Sequence, residues 1–242
     1  PLSHSFERIF DYALFWAGAS IAHAENVDAV GDNLLEVRPT IMGAAPRFYE
    51  TVFAKIRKSV AGQKPWKRAI FEWARSVGAL QAEYARRGAP APAGLALRHW
   101  LARKLVLDAL GRRVGGRIRF FVSGGGALSR EVAEFFWSIH LPILEGYGLT
   151  ETSPVLTINR PGAVRLGSVG QAVSGVEIRI AADGEILGRG PNIMKGYYNR
   201  PGETAQVIQD GWLATGDIGE MDADGFLRIT DRKKDLFKTS GG

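Results

Sequence analysis

The chain has 242 residues, of which 45% are hydrophobic and 23% are charged, and its net charge is +6. This composition is typical of a globular protein with a sizeable core. The lack of cysteine excludes disulfides and thiolate metal sites, and no apolar run approaches the roughly 20 residues of a membrane-spanning helix. No signal peptide is recognisable. Because the chain starts at Pro1 and ends at Gly242, we expect it to be a piece of a longer protein.

Positive charge is concentrated in one part of the chain. Residues 55–119 contain 16 Lys or Arg and 3 Asp or Glu, a net charge of +13, whereas the remainder has a net charge of −7. A solvated helical surface explains such a block, and an anionic partner such as a lipid surface or nucleic acid is the alternative. We expect no nucleic-acid partner, because the sequence lacks an aromatic-studded strand or a recognised DNA-binding helix motif.

The first half of the chain has the hydrophobic spacing of helices. One amphipathic helix is predicted by apolar residues at every fourth position: Phe48, Val52, Ile56 and Val60. A second is predicted by an apolar stripe made of Trp66, Ile70, Trp73, Val77, Leu80 and Tyr84. The sequence GAPAPAG at 88–94 ends it, and a third helix is expected over about 95–110. We expect each stripe to face the core, with the basic residues on the solvent side.

A strand, a glycine-rich turn and a helix are predicted in the sequence RIRFFVSGGGALSREV. A buried strand covers 118–122, Ser129 is placed to cap a helix over 130–139, and another strand covers 142–145. The order of strand, helix and strand predicts a parallel α/β sheet with flanking helices. Ligands usually bind at the carboxyl ends of parallel strands, and both glycine-bearing segments, 123–126 and 146–148, follow such ends.

The pattern becomes rich in β-strands beyond about residue 159. Alternating sequences turn at Asp183-Gly184 and again at Asp224-Gly225, which predicts two hairpins. We therefore expect an α/β subdomain over 1–158, a small β-rich subdomain over 159–230 and a hinge over 231–242.

The run EGYGLTETSP at 145–154 has residue types that suit a nucleotide. Its glycines allow a ligand to approach the backbone closely, the Tyr147 ring can stack on a planar base, and the Thr150 hydroxyl can donate to a phosphate or carboxylate oxygen. Glu151 is a hard oxygen ligand suited to Mg²⁺ that carries phosphates. A tight turn with a Thr-Glu capping pair is the structural alternative.

Two further stretches carry polar groups that suit a sugar. Asp217, in GWLATGD, can accept hydrogen bonds from vicinal hydroxyls. Arg232, in DRKKD, is a planar donor that can meet the same sugar or a phosphate. Taken singly, Asp217 is better explained as a turn cap, and a solvated charge run is the alternative for Arg232.

In combination and in this order, the motifs resemble the adenylate-forming superfamily, which includes acyl-CoA synthetases, luciferases and adenylation domains. The resemblance spans the chain and rests on the following sequences: SGGGALS, EGYGLTETSP, GEILGRGPNIMKGYYNRPGET and GWLATGDIGEMDADGFLRITDRKKDLFKTSGG. The segments PLSHSFER and LLEVRPTIMGAAPRFYETVFAKI are similar to the long-chain fatty acyl-CoA synthetase branch. The resemblance implies a fragment of the large N-terminal domain of such an enzyme, with a distorted barrel as its β-rich subdomain.

The resemblance also implies a reaction and its participants. These enzymes are ATP- and AMP-binding ligases of fatty acid and lipid metabolism. They form an acyl-adenylate and pyrophosphate from ATP and a fatty acid, and CoA then displaces AMP. Mg²⁺ accompanies the phosphates. Positioning and charge stabilisation carry such a reaction, so no covalent nucleophile is required.

Site residues follow from the matching motif positions. The resemblance places Gly124, Gly125, Gly126, Ala127, Glu145, Gly146, Tyr147 and Gly148 around the nucleotide and acyl group. It implies that Tyr147 stacks on adenine, that Asp217 and Arg232 bind the ribose hydroxyls, and that Thr150 contacts phosphate or carboxylate oxygens. Glu151 would hold Mg²⁺. Lys234 matches the hinge position, and the two remaining catalytic candidates are His4, near the substrate carboxylate, and Lys238, in thioester formation.

Two family motifs are expected outside this piece. The phosphate-binding loop would precede His4, and the lysine that serves adenylation would follow Gly242. We therefore expect the piece alone to be inactive in adenylate formation. A fatty acyl-AMP ligase that loads a carrier protein is an alternative, disfavoured because its usual insertion before the hinge is missing. A non-catalytic nucleotide- or acyl-binding relic is another. We expect a cytoplasmic location, with peripheral membrane contact through residues 55–119.

Overall fold

The computed structural model describes residues 4–233. Eight α-helices are present in that range: α1 (Ser5–Trp16), α2 (Val30–Val37), α3 (Pro46–Ala61), α4 (Pro65–Arg86), α5 (Ala93–Ala102), α6 (Asp108–Arg112), α7 (Arg130–Ser138) and α8 (Pro201–Val207). A π-helical turn, Arg103–Leu107, joins α5 to α6. None of the helices in this range combines the length and the hydropathy that crossing a bilayer requires.

Ten strands are also present in the described range. They are β1 (Ile41–Ala44), β2 (Phe120–Ser123), β3 (Ile143–Tyr147), β4 (Thr157–Ile158), β5 (Gln171–Ala172), β6 (Glu177–Ile180), β7 (Glu185–Arg189), β8 (Ile208–Gln209), β9 (Trp212–Met221) and β10 (Leu227–Arg232). The fold class is the predicted α/β, with helices, a mixed sheet and a curled antiparallel sheet.

The chain forms two compact units. The helical unit comprises residues 13–144 and 161–166, and the β unit comprises the described residues of 1–12, 145–160 and 167–242. These units are defined by which residues pack together, and each includes segments that are separate in sequence. They do not test the subdomain boundaries expected at 158/159 and 230/231, which stay predictions.

A buried tyrosine organises the core of the helical unit. Strands β1 and β2 pair in parallel, and Tyr49 of α3 is completely buried against them. Its hydroxyl donates to the Val122 carbonyl oxygen at 2.8 Å, and its ring makes edge-to-face contacts with Phe121 and Phe136. These contacts fix α3 to β2 and α7, since a buried hydroxyl needs a partner and aromatic pairs prefer this geometry.

The predicted helix cap and apolar stripes are found in the helical unit, except on α4. The Ser129 hydroxyl accepts from the Val132 N–H and caps α7, as predicted. On α4 the expected stripe is wrong in part, because Trp66 and Leu80 are 58% and 46% exposed. The face that is buried contains mostly small residues: Phe71, Ala74, Val77, Gly78 and Ala82. Small side chains let neighbouring helices approach closely, and a search for large apolar residues overlooks such a face.

Gly78 marks the closest approach on α4. A Cβ at this position would lie 1.9 Å from the Ser138 carbonyl oxygen at the end of α7. We expect Gly78→Ala to lower the free energy of unfolding by about 1–3 kcal/mol, because overpacking displaces backbone. Gly94→Ala, in open space on α5, is the matched control and should raise stability by up to about 1 kcal/mol. Urea unfolding of both variants measures this, and equal effects would contradict it.

The β unit is built around the long strand β9. Its sheet has the order β10-β9-β7-β6, and β8 also pairs with β9. The hairpins predicted at Asp183-Gly184 and Asp224-Gly225 are present as the antiparallel pairs β6–β7 and β9–β10. Strands β4 and β5 continue antiparallel from the end of β3. The sheet therefore places residues of β9 and β10 opposite each other in fixed register.

Candidate functional site

Three of the predicted nucleotide-binding side chains are in direct contact within the β unit. Tyr147, at the end of β3, donates its hydroxyl proton to Asp217 Oδ2 at 2.7 Å. Asp217 Oδ1 lies 3.3 Å from Arg232 Nε, and these two residues are cross-strand partners on β9 and β10. Asp217 is only 6% exposed. The sheet thus brings an aromatic ring, a carboxylate and a guanidinium together at one place.

The protonation state of Tyr147 suits this arrangement. Burial raises the pKa of its hydroxyl well above the usual value, and the negative charge of Asp217 acts in the same direction. The hydroxyl therefore keeps its proton and acts as a donor. Because a carboxylate has about four acceptor positions, Asp217 can accept further hydrogen bonds from a ligand while it holds both Tyr147 and Arg232.

The turn that precedes Asp217 is held by residues that the sequence analysis did not single out. The Thr215 hydroxyl donates to the Ile186 carbonyl oxygen at 2.8 Å and accepts from the Asp217 N–H. Buried Glu185 accepts from the Gly216 N–H at 2.9 Å and pairs with Lys233 Nζ at 2.6 Å. A glutamate within an alternating strand usually indicates a solvent-facing position, so no sequence signal pointed to Glu185.

Thr150 and Glu151 lie on a short 3₁₀ turn, Thr150–Thr152, a few residues after Tyr147. Thr150 is exposed, and its Oγ1 is 3.4 Å from Ser5 Oγ. Glu151 Oε1 accepts from the Tyr197 hydroxyl at 3.0 Å. Neither side chain hydrogen-bonds to Asp217. Thr150 and Glu151 therefore lie outside the hydrogen-bonded group of Tyr147, Asp217 and Arg232.

A close approach of the backbone shapes this turn. A Cβ at Gly148 would lie 1.6 Å from the Pro154 carbonyl oxygen and 2.9 Å from Thr152 Oγ1. Buried Thr152 accepts from the Leu149 N–H and donates to the Pro154 carbonyl oxygen at 2.6 Å. Glycine at 148 is therefore required for space, which allows the segment to fold back on itself and present Thr150 and Glu151.

The oxygens of Glu151 fit the metal that the motif implies. Its second carboxylate oxygen has no hydrogen-bond partner among residues 4–233. Carboxylate oxygens are the ligands that Mg²⁺ usually takes from proteins, together with substrate phosphates and water. Glu151 therefore has one oxygen anchored by protein and one available to such an ion.

Glu145 is a buried carboxylate on β3. It is 9% exposed, and burial raises its pKa to about 7. Within residues 4–233 its side chain has no hydrogen-bond or ion-pair partner, although its carbonyl oxygen accepts from the Asn159 N–H. The side chain therefore holds a proton at neutral pH far more readily than an exposed glutamate does.

The glycine-rich turn belongs to the helical unit and follows β2. Gly124 is buried, whereas Gly125, Gly126 and Ala127 are exposed. The Ser123 hydroxyl, at the last position of β2, is buried without a hydrogen-bond partner in the described part of the chain. The turn thus presents accessible backbone directly after a strand, as the sequence predicted. Tyr147, Asp217 and Arg232, by contrast, belong to the β unit, as do Gly146 and Gly148.

The remaining predicted residues lie at the ends of the chain. His4 is exposed, and its Nδ1 accepts from the Phe6 N–H at 3.2 Å. This contact lies in the first turn of α1, and the role of His4 near the substrate carboxylate stays a prediction. Lys234 and Lys238 lie outside the described residues, so their roles at the hinge and in thioester formation stay predictions.

Comparison with known proteins identifies relatives of the whole chain. The family model described as AMP-binding enzyme matches residues 1–198. The long-chain-fatty-acid–CoA ligase FadD15 of Mycobacterium bovis is 36% identical over 244 residues, which cover 100% of this chain and 40% of that protein. Long-chain-fatty-acid–CoA ligase 1 of Saccharomyces cerevisiae is 33% identical over 261 residues, with 100% and 36% covered. The chain thus spans less than half the length of these relatives.

A solved structure supports the fold. O-succinylbenzoate coenzyme A synthetase of Bacillus subtilis, in complex with ATP and magnesium ion, matches with a TM-score of 0.63 and 23% identity. The match covers 97% of this chain and 41% of that protein. It confirms the predicted fold class.

Proposed function

Because the chain belongs to the AMP-binding enzyme family, we propose that it is the nucleotide-binding part of a long-chain fatty acid–CoA ligase. The overall reaction joins a fatty acid to CoA and converts ATP to AMP and pyrophosphate. The observation that carries the proposal is the contact between the Tyr147 hydroxyl and the buried Asp217 carboxylate, backed by Arg232. Identity of 36% to a ligase named for long-chain fatty acids supports the substrate class.

In the first half-reaction, a carboxylate oxygen of the fatty acid attacks the α-phosphorus of ATP, and pyrophosphate leaves. The face of the Tyr147 ring receives the adenine. Asp217 accepts hydrogen bonds from the ribose hydroxyls, and Arg232 donates to them. Thr150 donates to a phosphate or carboxylate oxygen. Glu151 would hold Mg²⁺, which would neutralise phosphate charge when bound. In the second half-reaction, the CoA sulfur attacks the acyl carbon, and AMP leaves.

The protein's contribution to this reaction is positioning. Residues anchored on strands, such as Asp217 on β9, are already ordered before the ligand binds. They therefore lose little conformational entropy on binding. The backbone of Glu145–Gly148 would line the nucleotide, and the part of the glycine turn Gly124–Ala127 in binding stays a prediction from the motif resemblance. Peripheral membrane contact through residues 55–119 stays a prediction from charge. In this stretch Trp66 and Trp100 are exposed, and each ring is in contact with a lysine, Lys67 and Lys104 respectively.

Thermal unfolding with a stable acyl-adenylate mimic tests the proposal. A ligand that binds only the folded chain raises the melting temperature by mass action. We expect 5′-O-(N-palmitoylsulfamoyl)adenosine to raise the melting temperature more than the matched N-acetyl compound does. Tyr147→Ala should reduce the shift, whereas Tyr198→Ala, at a side chain that is 91% exposed, should leave it unchanged.

The outcomes distinguish nucleotide binding from the preference for a long acyl chain. No shift with either compound would contradict nucleotide binding by this chain. Equal shifts with both compounds would retain the adenylate site and contradict the preference for a long acyl chain.

A further inference from the structure

The segment 192–197 contacts the turn that carries Glu151 at four points. The Asn192 side-chain amide donates to the carbonyl oxygens of Thr152 and Val155 at 2.9 and 2.7 Å. The Met194 N–H donates to the Glu151 carbonyl oxygen at 2.8 Å. The fourth contact is the hydrogen bond from the Tyr197 hydroxyl to Glu151 Oε1. Three of the contacts fix the backbone of the turn, and only the fourth acts on a side chain with proposed chemistry.

Tyr197 is itself held in place from its other side. The Tyr197 backbone N–H donates to Thr204 Oγ1 at 2.9 Å. The Thr204 hydroxyl in turn donates to the Arg200 carbonyl oxygen at 2.9 Å. The ring therefore extends from an anchored backbone, and its hydroxyl reaches Glu151 as a fixed donor. A hydrogen bond from a neutral donor to a carboxylate is stronger than one between neutral groups, so it can select one orientation of the glutamate.

We propose that Tyr197 is a positioning residue, whose hydroxyl orients the Glu151 carboxylate so that its second oxygen faces the Mg²⁺ that accompanies ATP. The inference rests on the proposed function, since it takes Glu151 as the metal ligand. Tyr197 acts on one oxygen and leaves the other without a partner among residues 4–233. Carboxylates that bind metals are typically held by such hydrogen bonds, and their loss weakens metal binding.

The test measures how strongly Mg²⁺ strengthens nucleotide binding. Calorimetry gives the dissociation constant of α,β-methylene-ATP, whose α–β linkage is not cleaved, with and without Mg²⁺. The ratio of the two constants is the coupling between metal and nucleotide. We expect Tyr197→Phe to reduce this ratio by about tenfold while the Mg²⁺-free constant stays unchanged, because the variant removes only the hydroxyl.

Two reference variants make the result specific. Tyr198→Phe alters the neighbouring tyrosine, which is exposed, and should leave both constants unchanged. Glu151→Gln should reduce the ratio at least as much as Tyr197→Phe does. The double variant should add little to Glu151→Gln alone, because both changes act on the same contact.

The outcomes distinguish this inference from the function on which it rests. If the wild-type chain binds the nucleotide with an Mg²⁺ dependence that Glu151→Gln removes, and Tyr197→Phe keeps the full dependence, the positioning role is wrong. An equal loss of affinity with and without Mg²⁺ in Tyr197→Phe would also overturn it, because it would show a general structural role. A wild-type chain that binds no nucleotide would refute the proposed function and, with it, this inference.

Discussion

Replacing Asp217 by alanine is expected to weaken binding of the acyl-adenylate mimic by about tenfold to a hundredfold, which corresponds to the loss of hydrogen bonds to a charged group. The same change should lower the free energy of unfolding by about 1–3 kcal/mol, because it leaves the partly buried Tyr147 hydroxyl without its acceptor. Calorimetric titration and urea unfolding measure the two effects. Asp217→Asn, which keeps the shape of the side chain, should recover more stability than affinity.

A matched control lies on the same two strands. Glu220 and Arg228 form an exposed cross-strand ion pair on β9 and β10. Glu220→Ala should change stability by less than about 1 kcal/mol, since exposed ion pairs contribute little, and should not alter affinity. An Asp217→Ala variant that binds the mimic as tightly as the wild type would show that the Tyr147–Asp217 contact is structural only.

Glu145→Gln is expected to stabilise the chain more at pH 8 than at pH 5, by roughly 1–3 kcal/mol. The folded-state pKa of about 7 is higher than the ordinary value of 4.5. The folded state therefore holds its proton over a range in which the unfolded state has lost it. Stability from this group is present below about pH 4.5 and is lost as the pH rises through about 7.

Urea unfolding of wild type and variant at both pH values measures this difference, and each pH serves as the control for the other. Glutamine is neutral and similar in size, so the pH-dependent part of the comparison reports the buried charge. A stability difference that is the same at pH 5 and pH 8 would mean that Glu145 reaches solvent or a donor when ionised.

The sequence predicted those features that depend on local chemistry. Ser129 caps α7 because a hydroxyl before a helix accepts from its free N–H groups, and that rule is independent of the rest of the chain. The two Asp-Gly hairpins follow for the same reason, since glycine readily adopts the backbone angles of tight turns. The convergence of Tyr147, Asp217 and Arg232 was expected from the motif resemblance, and the contacts agree with that expectation, although their nucleotide-binding roles are proposals.

Features that depend on contacts distant in sequence could not be predicted. Strand β1 has only four residues and no alternating pattern, so only its pairing with β2 defines it. The buried face of α4 uses Ala74 and Gly78, which a search for large apolar residues passes over. Glu185 and Tyr197 act on residues 31 and 46 positions away, and nothing in their neighbouring sequence indicates such a partner.

The close approach at Gly148 has a consequence for how this sequence can evolve. Gly148 and Gly216 are both motif glycines, but their evolutionary freedom is unequal. Gly216 has a φ of +75° with open space around it, so asparagine, which tolerates that backbone region, is an accessible replacement. At 148 even a methyl group would collide with the Pro154 backbone. Mutational paths through position 216 are therefore open, whereas those through 148 are closed unless the whole turn is rebuilt.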